Sequence, residues 1–263
     1  MIRPKSGLAY SNDYCMGSAN YVGFQAPEGL HVNQRLYTDD TELRDEWILE
    51  FGYRHTLLAL KEYENGVLVP RNEYFDTVTP YIQDFLGDDI YSEFYEEISK
   101  NEMKTMLFNS ELFIVQTHGA QFGFALKKIS DLSDDAPFSE LVDRFLLMAD
   151  INTADLSGLK CALLLTCSTA QDYSISHITS SQPVNIVEKM VCQGAETVIG
   201  FSETTAVFDC NQFAEVFIRS TVQEGMTVTE ALEAVRVDQA DRFYYYNIAD
   251  SCVIAGNTDL TLN

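Results

Sequence analysis

Short, continuous apolar runs that stop abruptly at polar residues constrain this chain more than any other feature. Residues 112–117 (LFIVQT) end at His118-Gly119, residues 161–166 (CALLLT) end at Cys167, and residues 197–201 (TVIGF) form a third run. A strand covered on both faces reads as an unbroken apolar run, whereas a half-exposed strand alternates with polar residues. Amphipathic segments separate the runs. Residues 138–148 follow Asp134-Asp135-Ala136-Pro137, residues 184–193 stop at Gly194, and residues 210–223 stop at Gly225. Thr227-Val228-Thr229-Glu230 is a capping box that opens a further helix to about Arg242. Residues 122–129 read as a hairpin partner, and residues 244–248 and 252–255 as closing strands. Buried strands alternating with helices predict an α/β sandwich with a largely parallel central sheet flanked by helices.

The first third is less patterned. Residues 21–25 and 67–69 suit strands. Between them, residues 41–64 read as a helix, with Leu43, Trp47, Phe51 and Leu58 near helical spacing and Asn65-Gly66 as its stop. Residues 79–104, acidic and aromatic, read as one or two short helices. No repeat, low-complexity tract or Pro/Gly-rich linker interrupts the chain, so residues 1–263 are expected to form a single domain. Residues 1–105, its least defined part, are expected to contribute its first strands and helix.

Forty acidic against 17 basic residues give a formal net charge of −23. Nucleic-acid affinity rests on clustered Lys and Arg, so that partner is not expected. Such a surface attracts basic peptides or a basic partner protein, or serves solubility alone. The opening residues lack the apolar core of a signal peptide, and no run of about 18 apolar residues suits a membrane span. Six cysteines in a chain this long are too few for a disulfide framework, and no CxxC pair appears, so structural zinc is not expected either. A cytoplasmic protein without metal or cofactor is the expectation.

Functional groups of open α/β sheets gather at the carboxyl ends of strands. If the strands ending at His118 and Cys167 are neighbours, imidazole and thiol share one crevice, and a cysteine nucleophile needs such a base to raise its thiolate fraction. Gly119 permits close substrate approach, and its N–H, with that of Cys167, suits a developing oxyanion. The bland alternatives are a buried, inert strand-end cysteine and a structural histidine.

From His118 onward the chain resembles the CHAT branch of the caspase-like cysteine peptidases, which also includes the separases. The resemblance is carried by the apolar strand into THG, LLLTCSTAQD around Cys167, MVCQGAETVIGF, FAEVFIRSTVQEGMTVTEALEAV and CVIAGNTDLTL, in that order. The 49 residues from His118 to Cys167 agree with the caspase order, in which the histidine lies about 50 residues upstream; in papain-like enzymes the cysteine comes first. The resemblance implies a caspase-like three-layer sandwich and a cysteine endopeptidase acting on protein or peptide substrates. It also implies His118 as base, Cys167 as nucleophile, Gly119 at the oxyanion site, and a thioester intermediate.

In separase-like relatives an acid in the loop after the third run lines the pocket for a basic P1 residue. Asp209 is the match and Glu203 its rival, although the loop lacks the family's tryptophan, and Asp209 reads equally as a helix N-cap. Leu165 occupies the position that helps to read P1 in other caspase-like branches. His31 and His55 read as structural, the latter within a helix. His177 reads as a loop residue at the crevice rim, Cys161 and Cys192 as core, and Cys210 and residues 244–246 stay unassigned. Two alternatives remain: a CHAT-like binding module with an idle or partner-activated dyad, and a flavodoxin-like protein that is no peptidase. The last requires His118 and Cys167 more than about 8 Å apart.

Overall fold

The computed structural model describes residues 55–60, 63–64, 67–68, 90–129, 136–171, 183–241 and 248–262. Its centre is a six-stranded sheet built from β1 (His55–Leu60), β4 (Ile90–Tyr95), β5 (Leu112–Gln116), β9 (Cys161–Leu165), β10 (Thr197–Phe201) and β11 (Cys252–Gly256). The spatial order is β11-β10-β9-β5-β1-β4. All pairings are parallel except β10 with β11. The three apolar runs of the second half therefore lie side by side as β5, β9 and β10.

Period-two alternation sends each strand's side chains to two different cores. Leu112 and Ile114 of β5, Cys161, Leu163 and Leu165 of β9, and Ile199 and Phe201 of β10 pack beneath α4 (Val207–Ile218) and α5 (Val228–Asp241). Phe113 and Val115, Ala162 and Leu164, and Val198 pack on the other face, beneath α1 (Lys100–Asn109) and α3 (Ile186–Cys192). This is a three-layer sandwich. Each fully buried Leu, Ile or Phe contributes about 1.5–3 kcal/mol relative to exposure, which is why the central strands carry no polar alternation. Phe213 anchors the α4 layer, edge-on to Phe201 at 5.2 Å and stacked on Phe217 at 5.7 Å. The capping box of α5 is formed: the Thr227 N–H donates to the Glu230 carboxylate at 2.9 Å, and the Glu230 N–H to the Thr227 hydroxyl at 3.2 Å.

Several expectations need correction. Residues 55–60 are the strand β1 rather than part of a helix, so His55 begins a central strand and is buried there. The run HTLLAL is short and wholly apolar after its first two residues, and such runs do not distinguish buried strand from buried helix by period. Asn65-Gly66 follows no helix; it separates β2 (Tyr63–Glu64) from β3 (Val67–Leu68), which pair antiparallel with Glu64 opposite Val67. Asn-Gly between two paired strands is a hairpin signal. Ile90–Tyr95, expected to be helical, is the parallel edge strand β4. The segment 138–148 is split into the short α2 (Phe138–Asp143) and β8 (Phe145–Leu147), which joins β6 (Gly119–Ala120) and β7 (Gly123–Ala125) in a small antiparallel sheet. The helix expected from Cys210 begins at Val207 and ends in a π-turn at Arg219–Gln223. Residues 21–25, 41–54, 79–89 and 244–247 lie outside the described residues. Among the described residues, no helix is long and apolar enough to cross a membrane.

Candidate active site

Strands β5 and β9 are adjacent and parallel, with Gln116 level with Leu165. Two residues further along each chain stand His118 and Cys167, at the carboxyl ends of neighbouring strands. The hairpin after His118 folds back at once: the Ala125 N–H donates to the His118 carbonyl at 2.8 Å, and the Thr117 hydroxyl to the Ala125 carbonyl at 3.0 Å. These bonds press the chain at Gly119 against the end of β9. A Cβ at Gly119 would stand 2.5 Å from the Cys167 carbonyl oxygen and 2.7 Å from Thr166 Cβ. Only glycine permits that approach.

Cys167 opens a tight turn. Ser168, next in the chain, has φ of 56°, a left-handed conformation that costs a non-glycine residue roughly 1–2 kcal/mol and is held by its surroundings. The Ser168 N–H donates to the Glu203 carbonyl at 3.0 Å and the Ala170 N–H to the Phe201 carbonyl at 2.9 Å, tying the turn to the end of β10. Gly200 makes room for it: a Cβ there would stand 2.8 Å from Thr169 Oγ1 and 2.6 Å from Val187 of α3.

The sulfur of Cys167 is half-buried and meets one residue on three atoms. The Thr205 N–H donates to Sγ at 3.4 Å, the thiol donates to the Thr205 carbonyl at 3.6 Å, and Thr205 Oγ1 lies 3.8 Å away. Among the described cysteines it alone is not buried. Burial pushes the Cys161 thiol up to about 12 and the Cys252 thiol higher still, leaving both without useful thiolate. Cys192 is also buried.

Glu203 lies in the same loop as Thr205, its backbone holding Ser168 and its side chain exposed. Asp209 is the third residue of α4, whose N-cap is Ala206; the N-cap reading of Asp209 does not hold. Asp209 is half-exposed, and burial raises its carboxyl above the ordinary value. Leu165 points under α4 and is only 1% exposed. Beside it, the Gln116 side-chain amide donates to Asn211 Oδ1 at 2.7 Å, fastening the end of β5 to the start of α4, while its Oε1 is buried without a hydrogen-bond partner. His31 and His177 lie outside the described residues. Among the described residues, no group of three or more His, Cys, Asp or Glu is disposed to hold a metal ion. Sequence reasoning missed Thr205, Gln116 and Asn211. No local pattern marks a loop threonine or the polar end of an apolar strand; both matter only through what the fold sets against them.

No family model matches this sequence, and no curated protein matches it. Solved structures do. The Arg-specific cysteine proteinase gingipain R superposes with a TM-score of 0.59 at 9% identity, over 80% of this chain and 47% of that one. Its complex of pro- and mature domains, from Porphyromonas gingivalis, gives 0.59 at 9% over 79% and 48%. Separase from Saccharomyces cerevisiae, in complex with securin, gives 0.53 at 18% identity, over 78% of this chain and 12% of that one. The fold is that of the caspase-like cysteine peptidases: a mostly parallel sheet between two helical layers. Both the gingipain and separase structures are similar to it in fold, and the chain spans less than half the length of either.

Proposed function

We propose that this chain is a cysteine endopeptidase of the CHAT or separase type, with Cys167 as nucleophile and His118 as general base. The observation that carries the reading is the pairing of β5 with β9 in register, which sets both residues just beyond adjacent parallel strand ends, with Gly119 packed on the Cys167 backbone. The thiolate attacks the peptide carbonyl, the imidazolium protonates the departing amine, and water then hydrolyses the thioester. The N–H groups of Gly119 and Cys167 are the oxyanion donors in this scheme. Asp209 on the first turn of α4, with Glu203 as its rival, favours Arg or Lys at P1. A carboxyl destabilised by burial gains most from a cationic side chain brought beside it. That gingipain R is described as Arg-specific is in keeping with this reading. Leu165 belongs to the floor beneath α4 rather than to a surface the substrate touches.

A peptidyl-Arg acyloxymethyl ketone should add to Cys167, giving one mass increment on the peptide that holds it. Cys167→Ala should abolish the increment, and His118→Ala should slow it at least about 100-fold. Absence of labelling and turnover with basic, acidic and apolar P1 probes would sink the peptidase reading.

A second reading, a CHAT-like binding module with an idle or partner-activated dyad, draws on the Thr205 carbonyl that accepts from the thiol. The yeast separase structures are complexes with securin, in keeping with control by a protein partner. Labelling that appears only when a bound partner is added or removed favours this form.

A further inference from the structure

The contact between Thr205 and the sulfur of Cys167 joins a second thiol. Cys210, buried on the first turns of α4, donates its S–H to Thr205 Oγ1 at 3.3 Å. With its oxygen lone pair so engaged, the Thr205 hydroxyl has its own hydrogen to offer, and Cys167 Sγ lies 3.8 Å from the same oxygen. The Thr205 N–H already donates to that sulfur at 3.4 Å. Two donors from one residue therefore converge on the thiol, and the outer one is oriented by a group the proposed reaction does not otherwise use.

We propose that Thr205, oriented by Cys210, is a positioning residue that stabilises the thiolate of Cys167 and aims it out of the loop between β10 and α4. This rests on the reading of Cys167 as the nucleophile and names what in the fold prepares it. Hydrogen bonds to an ionised group are stronger than those to its neutral form, so both donors favour S⁻ over S–H. The Thr205 carbonyl acts in the opposite sense, because it accepts only from the neutral thiol at 3.6 Å. Ionisation cancels that bond and strengthens the other two, so the sulfur turns from the carbonyl toward the N–H and hydroxyl. Among the described residues, the other titratable groups on the elements around this sulfur are His118 after β5, Glu203 in the same loop, and Asp209 and Cys210 on α4. The two carboxylates disfavour the thiolate, and a protonated His118 favours it. The Thr205 donors are independent of all three, being uncharged across the working range.

The test is the rate of Cys167 alkylation by iodoacetamide between about pH 5 and 9, read by mass spectrometry on the full chain. It needs no substrate and no turnover. Thr205→Val keeps the shape and the backbone N–H but loses the hydroxyl. It should move the midpoint of the profile up by about half a pH unit, seen as a roughly threefold slower reaction below the midpoint, since one bond to a charged group is removed. Thr205→Ser should restore the wild-type profile. Cys210→Ala should shift the midpoint in the same direction by less, and Cys210→Ser, which keeps a donor, should not. An unchanged midpoint in folded Thr205→Val overturns the proposal; should that variant fail to fold, an unchanged midpoint in Cys210→Ala does so. Peptide turnover is scored separately. A profile that shifts in a protein without turnover leaves the Thr205 assignment standing and removes the peptidase reading, and the converse result removes only Thr205.

Discussion

At the scale of single residues, the site depends on an absent side chain as much as on those present. A Cβ at Gly119 meets the backbone oxygen of Cys167 at 2.5 Å, and backbone cannot swing aside as a flexible side chain does. Gly119→Ala should therefore displace the segment carrying His118. We expect a loss of about 1–3 kcal/mol in stability by chemical denaturation, and a fall in Cys167 labelling by the Arg ketone of about 100-fold or more, because small misplacements of reacting groups are costly. In the proposed reading, Asp209 sets stability against use. Its folded carboxyl is raised above the ordinary value near 3.8, so the folded state holds that proton more tightly than the unfolded chain does. The associated stability is present below pH 3.8 and is lost as pH rises through the raised value. Asp209→Asn removes that loss. The melting temperature relative to wild type should shift upward between pH 3.5 and pH 7, while preference for Arg over an apolar P1 residue falls. A parallel offset at both pH values would show that the carboxyl does not titrate as described.

At the scale of elements, α4 links the core to the site. Its inner face is held by Phe213 between Phe201 and Phe217, and its first turns carry Asp209, Cys210 and Asn211. Phe213 is fully buried, so Phe213→Ala should cost about 3–5 kcal/mol in urea denaturation. That is a large share of the 5–15 kcal/mol typical of a folded domain, and Cys167 labelling should fall with it as the loop carrying Thr205 loosens. The elements also show where local pattern is reliable. The strand at Thr197–Phe201 and the capping box at Thr227 stand where their residues predict, since both signals are local and strong. Strand β1 reads locally as helix because HTLLAL contains good helix formers, and only its place between β4 and β5, buried on both faces, makes it a strand. The segment 138–148 departs from its local helical pattern because Phe145–Leu147 pairs with a hairpin well before it in the chain.

At the scale of the whole molecule, a net charge of −23 opposes compaction through self-repulsion and attracts cationic peptides. Raising salt from about 0.01 to 0.15 M shortens the screening length from roughly 30 to 8 Å. The melting temperature should rise over that range by a few degrees, while the apparent affinity for Arg-containing peptides should fall. A melting temperature that drops with added salt would mean that attractive ion pairs outweigh the repulsion. Residue order is enough to read the layers of this protein and to mark its two candidate site residues. Buried strands are legible as apolar runs because a residue shielded on both faces has no water to satisfy a polar side chain, and His118 and Cys167 are marked by ending two of those runs. The tertiary structure alone decided which strands are neighbours, that Leu165 lies under α4, and that Thr205 comes to rest against the sulfur. Those outcomes depend on contacts between residues far apart in the chain, such as Thr205 with Cys167 and Asn211 with Gln116. No local pattern encodes them, because the free energy that selects them comes from packing the whole sheet at once.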